Sequence, residues 1–214
     1  MIRNLDPLQL TGRARTHLVE LADLGCAVHA HAAAPFAALR RAAAADGIEL
    51  VPVSAFRDFA RQLAIWNGKY AASALPPAQR IPAILQWSAV PGLSRHHWGT
   101  DFDLIDRNAL PQGYRVSLVP PEYAPGGPFH RLSGWLEANA ARFGFFRPYR
   151  GIRSGVQPEP WHYSFAPTAE FARRSYRPSL LAQVLTETVI GGRELILENL
   201  EGIHARYMDA IDLP

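Results

Sequence analysis

The sequence predicts an α+β fold, a small sheet with helices packed around it. Three observations carry that reading. Several stretches repeat apolar residues at helical spacing, others are short runs with strand character, and the two kinds follow one another in an α+β order. The chain has 214 residues, enough for one domain or one domain with an appendage. Its 48% hydrophobic content is sufficient to build a real core, and no long charged run argues for disorder.

The elements follow in order. Residues 13–25 carry Leu18, Leu21 and Leu24 at helical spacing and read as an amphipathic helix. APFAALRRAAAADG, residues 34–47, is a stronger helix with Phe36, Leu39 and Ala43 on one face and Gly47 placed to end it. IELVPVSAF, residues 48–56, is a short strand of β-branched and aromatic residues. Residues 57–73 return to helical period with Phe59, Leu63 and Trp66, and residues 78–90 form a further helix. TDFDLID, residues 100–106, alternates polar and apolar side chains, which makes it a strand with Asp101 and Asp103 on the same side. Residues 111–128 are a Pro/Gly-rich loop, and residues 129–144 a helix ended by Gly144. EPWHYSF, residues 159–165, is another strand, Trp161 and Tyr163 facing one way and His162 the other. From about Thr168 the chain is helical, and Leu197, Leu200, His204, Tyr207 and Ile211 form a stripe that needs a packing partner.

Charge and composition exclude several classes. The formal net charge is only +3, and the densest basic pairs, Arg40-Arg41 and Arg173-Arg174, read as solvated helix faces. Without a basic stripe or a stacking motif, nucleic acid is not an expected partner. A single cysteine, Cys26, rules out an intramolecular disulfide and a Cys-rich zinc knuckle, and it reads as a small buried hydrophobe. No segment approaches the ~20 apolar residues of a membrane span.

The chemistry-bearing residues gather in two places. SRHHWGTDFDL, residues 94–104, offers His96, His97, Asp101 and Asp103, with Asp106 just beyond. EPWH, residues 159–162, offers Glu159 and His162. A catalytic zinc needs three His or carboxylate ligands, an open position and a nearby proton acceptor, and two strands can bring such residues together. Spacing alone does not choose between His96 and His97.

Ser94, His96, Gly99 and Asp103, followed by Glu159, Trp161 and His162, are similar to the signature of the zinc D-alanyl-D-alanine carboxypeptidases. That family includes the vancomycin-resistance-type D,D-peptidases and shares its fold with the hedgehog signalling domain and murein peptidases. SAFRDFARQ upstream resembles a third family segment at Ser54, Phe56, Arg57 and Gln62, and FGFFRPY before the second motif also looks familial. The resemblance covers about residues 35–168.

It implies a mainly antiparallel sheet and one catalytic Zn2+ held by His96, Asp103 and His162, with water in the fourth place. Glu159 would be general base and then acid. Arg57 would hold the substrate by its carbonyl oxygen or terminal carboxylate. Substrate contacts would fall to Ser94, Gln62, Trp161 and Asp101. The sequence departs from the family at Asp101, where a small apolar residue is usual. On the strand alternation, Asp101 either accepts a hydrogen bond from a ligand histidine or lines the cleft, and it is also a competing ligand. His97 reads as a neighbour packing on Trp98, and His17, His29, His31, His130 and His204 as ordinary polar residues.

The implied activity is hydrolysis of a peptidoglycan stem peptide or muropeptide, foremost removal of terminal D-alanine. Alternatives are an L,D-carboxypeptidase, a murein endopeptidase and a non-catalytic zinc-stabilised binding module, which has no use for Glu159. The expected organisation is a catalytic domain over 1–167 and a helical extension over 168–214 that packs on it. The chain's start lacks the apolar run of a secretory leader, which reads as cytoplasmic, whereas a cell-wall substrate points to the periplasm.

Overall fold

One strand, buried along its whole length, organises the molecule. The computed structural model describes residues 4–151 and 155–214. That strand, β4 (Asp101–Asp106), lies between β3 (Leu50–Ser54) and β6 (His162–Phe165), and the short β5 (Phe145–Phe146) completes a four-stranded sheet in the order β3-β4-β6-β5. All three pairings are antiparallel. The register sets Asp103 opposite both Ser54 and His162, and Asp101 opposite Ser164. Alternation does the rest: Phe102 and Leu104 point into the main core, while the two aspartates point to the opposite face.

The helix α2 (Ala30–Ala45) covers the core face with Ala32, Phe36, Leu39 and Ala43, and Phe36 stacks on Phe102 at 4.3 Å between ring centroids. It starts earlier than the sequence suggests because His29 Nδ1 accepts the His31 backbone N–H and caps it. On the same core pack Leu132 and Leu136 of a helix spanning His130–Asn139, whose following 3-10 turn ends at Gly144 with φ +81°. Trp161 and Tyr163 face this core and His162 faces away, as the alternation of EPWHYSF requires.

The helix expected over residues 13–25 is instead a hairpin. Leu18–Leu21 (β1) pairs antiparallel with Cys26–His29 (β2), so Cys26 sits on a strand, half-buried against the core. Two features favour the hairpin. Gly25 takes φ +60°, which breaks a helix, and Asp23 in the turn is drawn to Arg40 of α2 at 2.7 Å. The second strand also has partners no helix would meet, since Ala27 O accepts from Phe56 N–H and Gly99 O from His29 N–H.

The remaining helices build a second core. One spans Phe59–Ala72 (α3), its first turn capped by Asp58, and another Pro77–Leu85, which stops five residues short of the expected end. From the C-terminal part come Ala166–Ser175, Pro178–Thr186, Arg193–Glu198 and Leu200–His204, followed by a wide turn over Ala205–Asp209. Trp66, Trp98, Tyr176, Leu181, Ile196 and Met208 meet there. Trp66 Nε1 donates to Gly191 O and the Tyr176 hydroxyl to Gly92 O, both in segments far apart in sequence. The C-terminal helices therefore share a core with α3 and with Trp98. No helix among the described residues is long and apolar enough to cross a membrane.

Candidate active site

His96 sits on a 3-10 turn, Arg95–Trp98, that feeds β4, and His162 opens β6. Adjacent strands in register therefore bring His96, Asp103 and His162 together, with one donor atom of each within 4.8 Å of the others. His96 Nε2 lies 3.4 Å from Asp103 Oδ2, and His162 Nδ1 lies 3.5 Å from Asp103 Oδ1. Two donors each about 2.0–2.1 Å from a zinc ion at a tetrahedral angle stand roughly 3.4 Å apart. Asp103 Oδ1 is buried with no hydrogen-bond partner, an expense that a bound cation removes. The donor set fits one zinc ion.

The outer ring nitrogens fix which atom each histidine offers. His96 Nδ1 is 2.8 Å from Ala55 O and so carries the proton, leaving Nε2 free as a ligand atom. His162 places Nε2 at 2.9 Å from Asp101 Oδ1 and turns Nδ1 to the cluster. Burial opposes a charge on His162. The hydrogen bonds to Asp101 and Glu159 and the charges of Glu159 and Asp103 outweigh it, and its pKa is pushed up to about 10. The face asks for positive charge, as a metal site should.

Glu159 is the fourth carboxylate-or-imidazole group at this point. Its Oε2 is 3.0 Å from His162 Nδ1, at the mouth of the cluster but outside the three-member set. Its backbone N–H is fixed by Tyr149 O at 3.0 Å. Arg57 closes the opposite side. Nη1 donates to Gln62 Oε1 at 2.8 Å, Nη2 donates to Ser54 Oγ at 3.0 Å, and Nη2 stands 3.8 Å from Asp103 Oδ2. These groups line a cleft of about 630 Å3, a volume suited to a short peptide.

Ser94 and Trp161 line the cleft, but two expected substrate contacts do not. Gln62 is fully buried, and its amide donates to Ala89 O at 2.7 Å, so it holds Arg57 rather than a ligand. Asp101 is also fully buried. Oδ1 receives Arg95 Nε at 2.9 Å as well as His162, and Oδ2 receives the hydroxyls of Thr100 and Ser164. All four lone-pair directions are taken behind the cluster, which leaves nothing for substrate or metal. Burial works to raise this carboxyl, yet the Arg95 charge and the His162 hydrogen bond keep it well below the usual carboxylate range.

Sequence reasoning missed four contributors. Arg95 is the buried counter-ion of Asp101, and two charges six residues apart in a motif that needs neither were a readable signal. His97 bridges Arg57 O, at 2.6 Å from Nδ1, and Gly92 N–H, at 3.1 Å from Nε2; burial pushes its pKa down to about 3, so the ring stays neutral. Tyr149 sets its ring edge-on to His162 at 5.0 Å. The Pro/Gly-rich loop forms the cleft's far lip through Ser117, Leu118 and Val119. Buried Glu122 gathers the Tyr114 hydroxyl and the Ser117 and Val119 N–H groups, forcing Leu118 to φ +52°, a strained value for leucine.

Comparisons with known proteins give the family. A family model described as VanY: D-alanyl-D-alanine carboxypeptidase matches residues 25–168. A D-alanyl-D-alanine carboxypeptidase of Enterococcus faecalis is 31% identical over 153 residues, covering 69% of this chain and 51% of its own, so the chain spans about half of that relative. VanYB in complex with D-alanine-D-alanine superposes with a TM-score of 0.55 at 26% identity, covering 80% of this chain and 89% of that one. A mutant of the vancomycin-resistance D,D-pentapeptidase VanY in complex with Zn(II) gives 0.55 at 28% identity, with 74% and 86% covered. The family match runs over two thirds of the chain and takes in every residue of the cluster and the strands that carry it, and the chain belongs to the VanY family of D-alanyl-D-alanine carboxypeptidases.

Proposed function

We propose that this protein removes the terminal D-alanine from cell-wall stem peptides, with Glu159 as the proton carrier and Arg57 as the substrate anchor. One observation carries the reading. Glu159 stands at the mouth of a complete three-ligand set without belonging to it, which is where a general base is useful and a structural carboxylate is not.

A zinc ion held by His96 Nε2, Asp103 and His162 Nδ1 would polarise the scissile carbonyl and lower the pKa of water toward ~7. Glu159 Oε2 accepts the attacking water's proton and hands it to the departing amine of D-alanine. Arg57 is pre-set by Gln62 and Ser54 before substrate arrives, so little side-chain entropy is lost on binding. Its remaining N–H groups suit a terminal carboxylate or a developing oxyanion. Tyr149 and Trp161 line the cleft beside the cluster.

The test is release of D-alanine from a muramyl pentapeptide by zinc-loaded protein, with Glu159→Ala as the paired control. Release by the parent, a loss of several orders of magnitude in the variant and one equivalent of zinc in both support the reading. No release by the zinc-loaded parent overturns it.

A further inference from the structure

The helix α3 does more than lead away from Arg57. Arg61, Ile65 and Lys69 recur at every fourth position along it, Arg57 continues the series before its first turn, and all four line the cleft. Residues four apart on a helix form one ridge, so the cleft has a wall carrying three cations. The cleft also has apolar lining, with Val53, Trp87 and Val119 each more than a third exposed.

Arg57 has Asp103 at 3.8 Å, but the two cations beyond it lack a carboxylate partner. Asp103 and Glu159 are committed at the cluster, and the Asp58 carboxylate accepts the Arg61 backbone N–H rather than its guanidinium. Among the described residues, neither Arg61 nor Lys69 has a carboxylate within ion-pair distance. The Lys69 ammonium is pushed down, first by burial and then by the charge of Arg57, against the attraction of Glu159. Like charges gathered on a partly enclosed wall are unfavourable until an anion arrives.

We propose that Arg61 and Lys69 form a carboxylate-reading subsite for the stem side of the substrate, selecting acidic peptides with free carboxylates on the N-terminal side of the scissile bond. The inference rests on the carboxypeptidase reading above with Arg57 on the oxygen of the scissile carbonyl, and that reading fixes the direction. A carboxypeptidase releasing one residue has roughly 3.5 Å of chain on the leaving side. The helix rises about 12 Å between Arg61 and Lys69, a length that three to four extended residues fill. Only the stem is long enough. Its backbone lies against the apolar lip and turns its carboxylates toward α3.

The experiment uses two pentapeptides ending in D-alanyl-D-alanine, identical except that internal carboxylates are free in one and amidated in the other. D-alanine release is measured at fixed ionic strength for the zinc-loaded full chain and for Arg61→Gln/Lys69→Gln. The parent should prefer the free acid at least tenfold in kcat/KM, mostly through KM, and the preference should collapse toward one in the variant. A parent that does not discriminate, or a variant that keeps the preference, overturns the subsite. If the parent releases D-alanine from neither peptide, the carboxypeptidase reading fails by itself. Calorimetric affinities of the same peptides then decide the subsite: tenfold tighter binding of the free acid, lost in the variant, sustains it, and equal affinities overturn it.

Discussion

Asp101 illustrates how a single side chain can be obvious in sequence and opaque in role. Its place on the strand face beside Asp103 followed from alternation, and Glu159 and His162 were legible as candidates from residue type and spacing, because zinc chemistry constrains both, whereas Asp103 was separated from Asp101 and Asp106 only by the motif. His96 was separated from His97 only by the motif. What spacing does not carry is hydrogen-bond direction: whether Asp101 faces the cleft depends on Arg95, Thr100 and Ser164 filling its other lone pairs. That filling predicts a specific phenotype. Asp101→Asn leaves His162 Nε2 without a charged acceptor and Arg95 buried without a counter-ion. Zinc affinity should fall about 10–100-fold, as when the carboxylate behind a ligand histidine is removed. Stability should fall by about 3 kcal/mol, the lower end for breaking a buried pair. Competition with a chromophoric chelator and urea denaturation of the metal-free protein measure the two. The double change Arg95→Leu/Asp101→Ala should restore most of the stability and none of the zinc affinity. Recovery of both would mean that Asp101 serves only Arg95.

At the scale of elements, three of the sheet's four strands and α3 were readable, and the short β5 and the hairpin were not. Leu18, Leu21 and Leu24 do recur at helical spacing, but the leucines are met by long-range partners that local periodicity cannot represent. The lip was missed for a similar reason, since one buried glutamate organises a loop whose composition signals only turns. The hairpin also touches the zinc-ligand turn. Gly99 ends that turn at φ +69°, and a Cβ there would meet Leu18 Cδ2 at 2.6 Å and the His29 backbone nitrogen at 2.7 Å. The second contact is with backbone and cannot rotate away. Gly99→Ala combines a left-handed conformation unfavourable by about 1–2 kcal/mol with overpacking of about 1–3 kcal/mol. A loss of about 2–5 kcal/mol follows, and the shift of β2 against the turn should weaken zinc binding as well. Thermal unfolding with and without zinc reads both, and an unchanged zinc-induced rise in Tm would show that the turn tolerates the displacement.

Across the whole molecule, both cores converge on the ligand turn, and two buried histidines there, His29 and His97, are held neutral. His29 is pushed down to about 4, first by burial and then by the charges of His17 and His31. Its role requires the neutral ring, because Nδ1 must accept the His31 N–H to cap α2. His97 is held lower still, for the same leading reason of burial. The unfolded chain binds protons on these rings near pH 6.5, while the folded chain excludes them until about 4 and 3. Unfolding therefore takes up protons in this window, and stability present above pH 6.5 is lost as pH falls toward the folded values, at about 1.4 kcal/mol per pH unit for each ring. By pH 4 the two together remove on the order of 5 kcal/mol, comparable with the whole stability of a small domain. The variant His29→Asn keeps a capping oxygen in place of Nδ1 and has nothing to titrate. Urea denaturation in the presence of chelator, from pH 7.5 to 4.5, should give a shallower acid slope for the variant by close to one proton. The two curves would then converge as pH falls, even if the variant starts below the parent at pH 7.5. Parallel curves would mean that the proton uptake comes from elsewhere, and that burial of His29 does not couple the hairpin to acid stability.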